Sequence, residues 1–213
     1  MESKMADHAE LDALVIRNIG DISAAMKHAD EVLSPRVWEE VGKALVNACE
    51  PSTHYAFADG EDEDVWLADR SWLALDTLST SPEPDFFLGL DERTSLGGEG
   101  ENSWLASFTG SGPNGATVAL WVDQNIVGKA RWKKIVRSAN DLIGELRTAG
   151  FDVVEDDDRK LCIPVLFNRD ALAAAFSSED FASAMQPLID AVRKAITATP
   201  LLERLRALAL AAA

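Results

Sequence analysis

From residue 8 to residue 33, apolar side chains recur close to a 3.6-residue period, at Leu11, Leu14, Val15, Ile22, Met26 and Leu33. That spacing predicts an amphipathic helix. Ser34-Pro35 then supplies an N-cap and a proline at the first helical position, with Glu39 and Glu40 close behind. Trp38, Val41, Leu45 and Cys49 share one face of this second helix, which should end near Glu50-Pro51. Residues 1–50 are thus expected to form a helical hairpin.

Beyond an acidic loop, "ADGEDEDVW", the pattern loses its helical period. "VWLADRSWLAL" reads equally as a strand or as a helix started by the preceding acids, so residues 65–78 stay open. "DFFLGL", "SWLASFTG" and "ATVALWVDQ" are rich in aromatic or β-branched residues and predict strands. The last two flank a glycine-rich turn and suggest a hairpin joining 103–109 to 116–124. Residues 129–149 predict the clearest helix, with Trp132, Ile135, Val136, Ala139, Leu142, Ile143 and Leu146 on one face and Gly150 as the stop. "FDVV", the acidic turn "EDDD" and "KLCIPVLF" predict a second hairpin, and Pro164 assigns its last strand to a sheet edge or bulge.

The remainder, 169–213, is helical. Phe181, Met185, Leu188, Val192 and Ile196 hold one stripe across Pro187, which predicts a kink there. Helices, a strand meander, a helix, a hairpin and more helices define a single α+β domain over 1–213: a helical hairpin at 1–50, a sheet with a central helix 129–149 within 65–167, and C-terminal helices packed on the sheet at 169–213. The order of elements is similar to that of type III secretion chaperones and other small acidic binding proteins. This is a likeness of element order alone, and it implies a protein-binding role by analogy.

Charge sharpens this picture. The chain of 213 residues has a formal net charge of −16, and it is unevenly spread. Residues 1–128 hold 24 acids and 7 bases, a net −17, and residues 129–213 hold 12 acids and 13 bases, a net +1. Such a field repels nucleic acid and anionic membranes and favours a protein partner with a basic surface. Asp59, Glu61, Asp62, Glu63 and Asp64 form its densest cluster and are the candidate acidic partner surface. The first twenty residues place acids where a signal peptide needs bases, and no apolar run approaches the ~20 residues of a membrane span. A cytoplasmic protein without membrane contact is expected. Cys49 and Cys162 fall on apolar stripes and read as small core residues.

Candidate chemistry is sparse. Gly110, Gly112 and Gly115 spell G-x-G-x-x-G, and "GSGPNGAT" fits a phosphate loop with Ala116 where the lysine belongs. Such a loop needs a helix after it, whose N-terminal N–H groups meet the phosphate. A β-branched run comes next instead, so the glycines read as a hairpin turn. No lysine stands where a strand-borne nuclease motif after Asp123 needs one. His8, His28 and His54 lack zinc spacing, and Gly60 comes too early in "DGEDED" for a calcium loop. No catalytic residue, cofactor or metal is expected.

Two features remain. Lys129, Arg131, Lys133, Lys134 and Arg137 open the helix at 129, where cations oppose the macrodipole and call for an anionic partner, either the chain's own acidic loops or a ligand. Trp132 among them could stack on such a ligand, although its place on the apolar stripe favours the core. Six tryptophans against one tyrosine form the second feature, and Trp104 and Trp121 are expected as neighbours on adjacent strands. The leading expectation is a non-catalytic acidic protein-binding module, such as an adaptor, inhibitor, chaperone-like or immunity-type protein, with homodimerisation possible. The alternatives are nucleic-acid or nucleotide binding through 129–137, enzymatic or not, and nucleic-acid mimicry by the acidic face.

Overall fold

The structure, a computed structural model, describes residues 2–59, 64–73, 84–93, 104–111, 116–154 and 161–213, with side chains from residue 10 onward. Its architecture is α+β, with helices before and after an antiparallel six-stranded sheet. Helix α1, Glu2–His28, does not turn back on helix α2, Ser34–Ala48. Between them Ala29–Leu33 forms a π-helical turn, and His28, Leu33 and Ser34 all keep right-handed helical dihedrals. The expected hairpin is therefore corrected to one continuous rod. Pro35 explains the joint: its ring would clash with the carbonyl four residues back, and it brings no N–H. The helix widens instead, and the Ser34 N–H donates to the Ala29 carbonyl five residues earlier. Ser34 is then inside the helix rather than capping it.

The strands are β1 His54–Asp59, β2 Asp64–Asp69, β3 Phe86–Arg93, β4 Thr117–Gln124, β5 Asp152–Val153 and β6 Leu161–Val165, in the spatial order β1-β2-β3-β4-β6-β5. The ambiguous segment after residue 64 is strand β2 followed by a 3-10 turn at Arg70–Trp72. Register decides the faces. Ala58, Val65, Leu67, Leu88, Leu90, Leu120, Val122 and Ile163 point to one side, and the buried residues among them merge with the helices into the main core. Tyr55, Phe57, Trp66, Phe87 and Trp121 point to the other, with Phe57 stacked on Trp66 at 5.3 Å. A small second cluster of Ala119, Trp121 and Cys162 lies on this far side. Both cysteines are buried and unpaired, and burial pushes the Cys49 thiol up to about 11.

Two expected elements differ. "SWLASF" is not a strand: Trp104–Phe108 forms a short helix, α3. Trp104 and Phe108, one turn apart, close around Trp38 of α2 at 4.9 and 5.3 Å, and the buried Ser107 hydroxyl donates to Glu92 Oε1 at 2.5 Å. Tertiary packing of aromatic rings overrides a weak local strand preference. Trp104 and Trp121 are consequently not strand neighbours. The helix expected at 129–149 is two, α4 Lys129–Ser138 and α5 Asn140–Thr148, broken at Ala139 where ψ is 46°. Both pack against the last helix.

The C-terminal third holds α6 Arg169–Ser178, α7 Gln186–Thr197 and α8 Thr199–Ala212. Pro187 starts α7 instead of kinking a longer helix, because residues 182–185 are a turn and the first helical positions tolerate a missing N–H. Phe181, Met185, Leu188 and Val192 are nonetheless all buried, as their shared stripe requires. A polar clamp fixes α8: Arg206 grips Asp85 with two bonds of 2.9 and 2.8 Å, and Trp72 Nε1 donates to Glu203 at 2.5 Å.

Helix α2 lies directly against β1. A Cβ on Gly42 would sit 2.8 Å from the Ala58 Cβ, closer than such atoms pack. Gly42→Ala should gain about 1 kcal/mol of helix propensity and still destabilise the protein by about 1–3 kcal/mol through overpacking. Urea unfolding would register this as a lower midpoint at unchanged slope; a raised midpoint would show that the helix lifts off at no cost.

Candidate interaction surfaces

On α4, Lys129, Lys133, Lys134 and Arg137 fall within about 140° of the helix circumference, and Arg131 lies outside that arc. The Arg131 guanidinium donates to the Ala212 carbonyl and, at 3.5 Å, to that of Ala213. Its anionic partner is thus the C-terminus of α8, whose unpaired carbonyls carry the negative end of the helix dipole. Trp132 is 2% exposed and meets Phe86 edge-on at 6.1 Å, so its faces are closed to stacking on a ligand. Lys129, Lys134 and Arg137 are exposed and Lys133 is half-buried. Among the described residues no carboxylate forms an ion pair with Lys133, Lys134 or Arg137. The helix start itself is held from inside: Gln124 Oε1 accepts from the Ile126 and Val127 N–H groups at 2.8 Å, and its Nε2 donates to the Val127 carbonyl.

Of the candidate acids, Asp59 and Asp64 face one another as the last pair of the β1–β2 ladder. Glu61, Asp62 and Glu63, the acidic turn 155–158 and the glycines 112 and 115 lie outside the described residues. Gly110 is described, with φ of +63°. The Ser111 N–H donates to the Ala106 carbonyl and the Gly110 N–H to that of Ser107. This is the left-handed helix stop that favours glycine. The loop therefore runs from a helix C-terminus into a strand, the reverse of a phosphate loop, and the dipole it meets on the α3 side repels anions.

Sequence reasoning missed a groove beside β1. It measures about 580 Å³ and is lined by Trp38, Glu39, Gly42, Lys43, Val46 and Asn47 of α2 and by the four consecutive residues Tyr55, Ala56, Phe57 and Ala58. Consecutive strand residues point to opposite faces, so a groove touching all four runs along the strand's edge. β1 is the terminal strand of the sheet. The two edges are built differently. β5 has two residues, and its neighbour β6 carries exposed Pro164 where β5 has ended. Both features blunt an edge against pairing. β1 has six residues in unbroken register with β2, and neither proline nor lysine. Lys43, which lines the groove, is held by Glu39 and Glu40 at 2.7 and 2.8 Å, so this cation is already paired. Trp38 Nε1 is a buried donor with no acceptor among the described residues.

His54 begins β1. It is 5% exposed, with its Nδ1 2.9 Å from the Thr53 hydroxyl and its Nε2 3.0 Å from that of Thr199 in α8. Burial pushes its pKa below the ordinary 6.5, against weaker upward pulls from Asp69 and Glu50. Among the described residues there is no cluster of potential metal ligands, and no helix is long and apolar enough to cross a membrane. No protein-family model matches the chain, and neither a curated protein nor a solved structure matches it.

Two measurements probe these placements. With the chain at −16, the protein should leave a labelled oligonucleotide unbound even at about 20 mM salt, where phosphate contacts are strongest. Binding that disappears in Lys133→Ala/Lys134→Ala/Arg137→Ala would reinstate the basic helix as a site. For His54, the folded state prefers the neutral ring. Its contribution to stability is complete above pH 6.5 and declines as pH falls through 6.5 toward the depressed folded value. The gap in urea midpoint between wild type and His54→Asn should therefore be wider at about pH 7.5 than at about pH 5.5; a gap independent of pH would remove the linkage.

Proposed function

We propose that the protein is a non-catalytic protein-binding module of the adaptor, inhibitor, chaperone-like or immunity type, and that it takes an extended, basic segment of its partner along β1. The observation that carries this reading is the unblunted β1 edge opening into a groove walled by α2. An added strand would satisfy the outer row of backbone groups on β1, and groove-facing side chains of that strand would supply selectivity. Val46, 50% exposed, and the half-buried rings of Tyr55 and Phe57 give the apolar contacts. Glu39, Glu40 and the Asp59–Asp64 end of the hairpin favour lysine or arginine on the incoming segment, since opposite charges across an interface steer and orient association.

A peptide alternating valine with lysine, compared with one alternating valine with glutamate, tests the proposal by amide chemical shifts. The lysine peptide should perturb residues 54–59 and 39–47, and weaken with added salt. Val46→Lys, at an exposed site, replaces an apolar contact with a charge that repels the peptide and should reduce its affinity on the order of tenfold, about 1.4 kcal/mol. Equal response to both peptides, or shifts confined to other elements, would refute the groove as the binding site.

A further inference from the structure

Helix α1 carries a surface that the core does not use. At 3.6 residues per turn, Leu11, Leu14, Val15, Ile19, Ile22 and Met26 fall within about 140° of the helix circumference. Glu10, Asp12, Arg17, Asp21 and Lys27 all fall outside that arc. Five of the six apolar residues are exposed, from 36% at Val15 to 62% at Met26. The polar residue within the stripe is Asn18, and its Nδ2 already donates to the Leu14 carbonyl at 2.8 Å, so burying it leaves that donor satisfied. A stripe free of charge from Leu11 to Met26 on a projecting helix is the pattern of a helix that has a helical partner.

We infer that α1 pairs antiparallel with α1 of a second copy, crossing near Asn18 and Ile19, the middle of the stripe. The area supports a second copy: two such stripes facing each other remove on the order of 1,000–1,300 Å² from water, which reaches the ~1,000 Å² that a specific interface needs. One stripe against another is also self-complementary, as a two-fold interface requires. Charge sets the orientation. Residues 34–213 hold 29 acids and 17 bases, a net −12. Parallel pairing brings two such bodies to one end of the helix pair. Antiparallel pairing separates them by roughly the 40 Å length of α1, several times the ~8 Å screening length at physiological salt. The inference is independent of the β1 groove, which lies beyond α2 and is left open by it.

Sedimentation of the full chain tests it. A mass twice that of the monomer is expected at about 100 µM, falling toward the monomer near about 1 µM. Ile19→Glu/Met26→Glu should give a monomer at both concentrations with the near-ultraviolet tryptophan signal unchanged, because both residues stand outside the core. Orientation is read by cysteine cross-linking, Cys49 and Cys162 being buried. Leu11→Cys mixed with Met26→Cys should give the mixed dimer, and Leu11→Cys alone should give none. A monomer at every concentration, a dimer that survives the glutamates, or self-cross-linking of Leu11→Cys without the mixed product would each overturn the proposal. Retained peptide shifts in the Ile19→Glu/Met26→Glu protein would leave the groove reading intact, and their absence from wild type would not affect this one.

Discussion

The approach of α2 to β1 at Gly42 is the constraint on which the arrangement of the helices depends. Only a residue without a Cβ allows the two backbones to meet there, where the added atom would stand 2.8 Å from Ala58. With α2 that close, Trp38 reaches Trp104 and Phe108 and anchors α3, whose Ser107 ties down Glu92 at the end of β3. The depth of the groove at the sheet edge is set by the same contact, since Gly42 and Ala58 both line it. Because α1 continues from α2 without reversing, the docking of α2 also aims the unburied half of the rod away from the core.

Electrostatics in the body is resolved mostly by internal partners, and this separates charge that folds the protein from charge that meets solvent. Arg131 serves the end of α8, Arg206 clamps Asp85, Arg204 grips Glu145 at 2.6 and 3.0 Å, and Arg93 reaches Asp152 at 2.8 Å. Arg206 is the most buried of these, 15% exposed in its side chain, and its two bonds to Asp85 are the charge-assisted kind that contribute most. The Arg204–Glu145 pair is about half exposed, so solvent screening leaves it a small contribution. Four arginines from the positive minority are thus committed within the fold, and the acidic excess is left for the surface to present.

Much of the fold was legible because strong periodicity survives tertiary context. The strands at 86–93 and 117–124, the hairpin around residues 152–165 and the apolar faces of α2, α4, α5 and α7 stand where the pattern puts them. The failures share a cause: a local signal whose meaning depends on a distant partner. Ser34-Pro35 has the form of a helix start, yet a π-turn absorbs the proline inside a continuing helix. "SWLASF" has strand composition, yet Trp38 recruits its rings as one face of a helix. Gly110 matched a phosphate loop but stops a helix. The groove left no linear signal, because it requires knowing that β1 ends the sheet and that Gly42 faces it. The one hint was a glycine inside a confident helix, since such a residue usually has a packing reason.

The continuous rod gives the protein two outward surfaces of unlike chemistry on a single element. On α1 the apolar arc is free of charge from Leu11 to Met26, which suits a like surface and disfavours a polar one. On α2 the residues Glu39, Lys43 and Asn47 line the groove beside an edge strand, which suits an extended chain. The π-turn at Ala29–Leu33 lies between them and rotates the helical register by inserting one residue. A regular α-helix through Pro35 would lose a backbone hydrogen bond and clash. The same proline that breaks the pattern in the sequence therefore also sets the angle between the apolar arc of α1 and the core-facing side of α2, and lets one face be buried while the other remains outside.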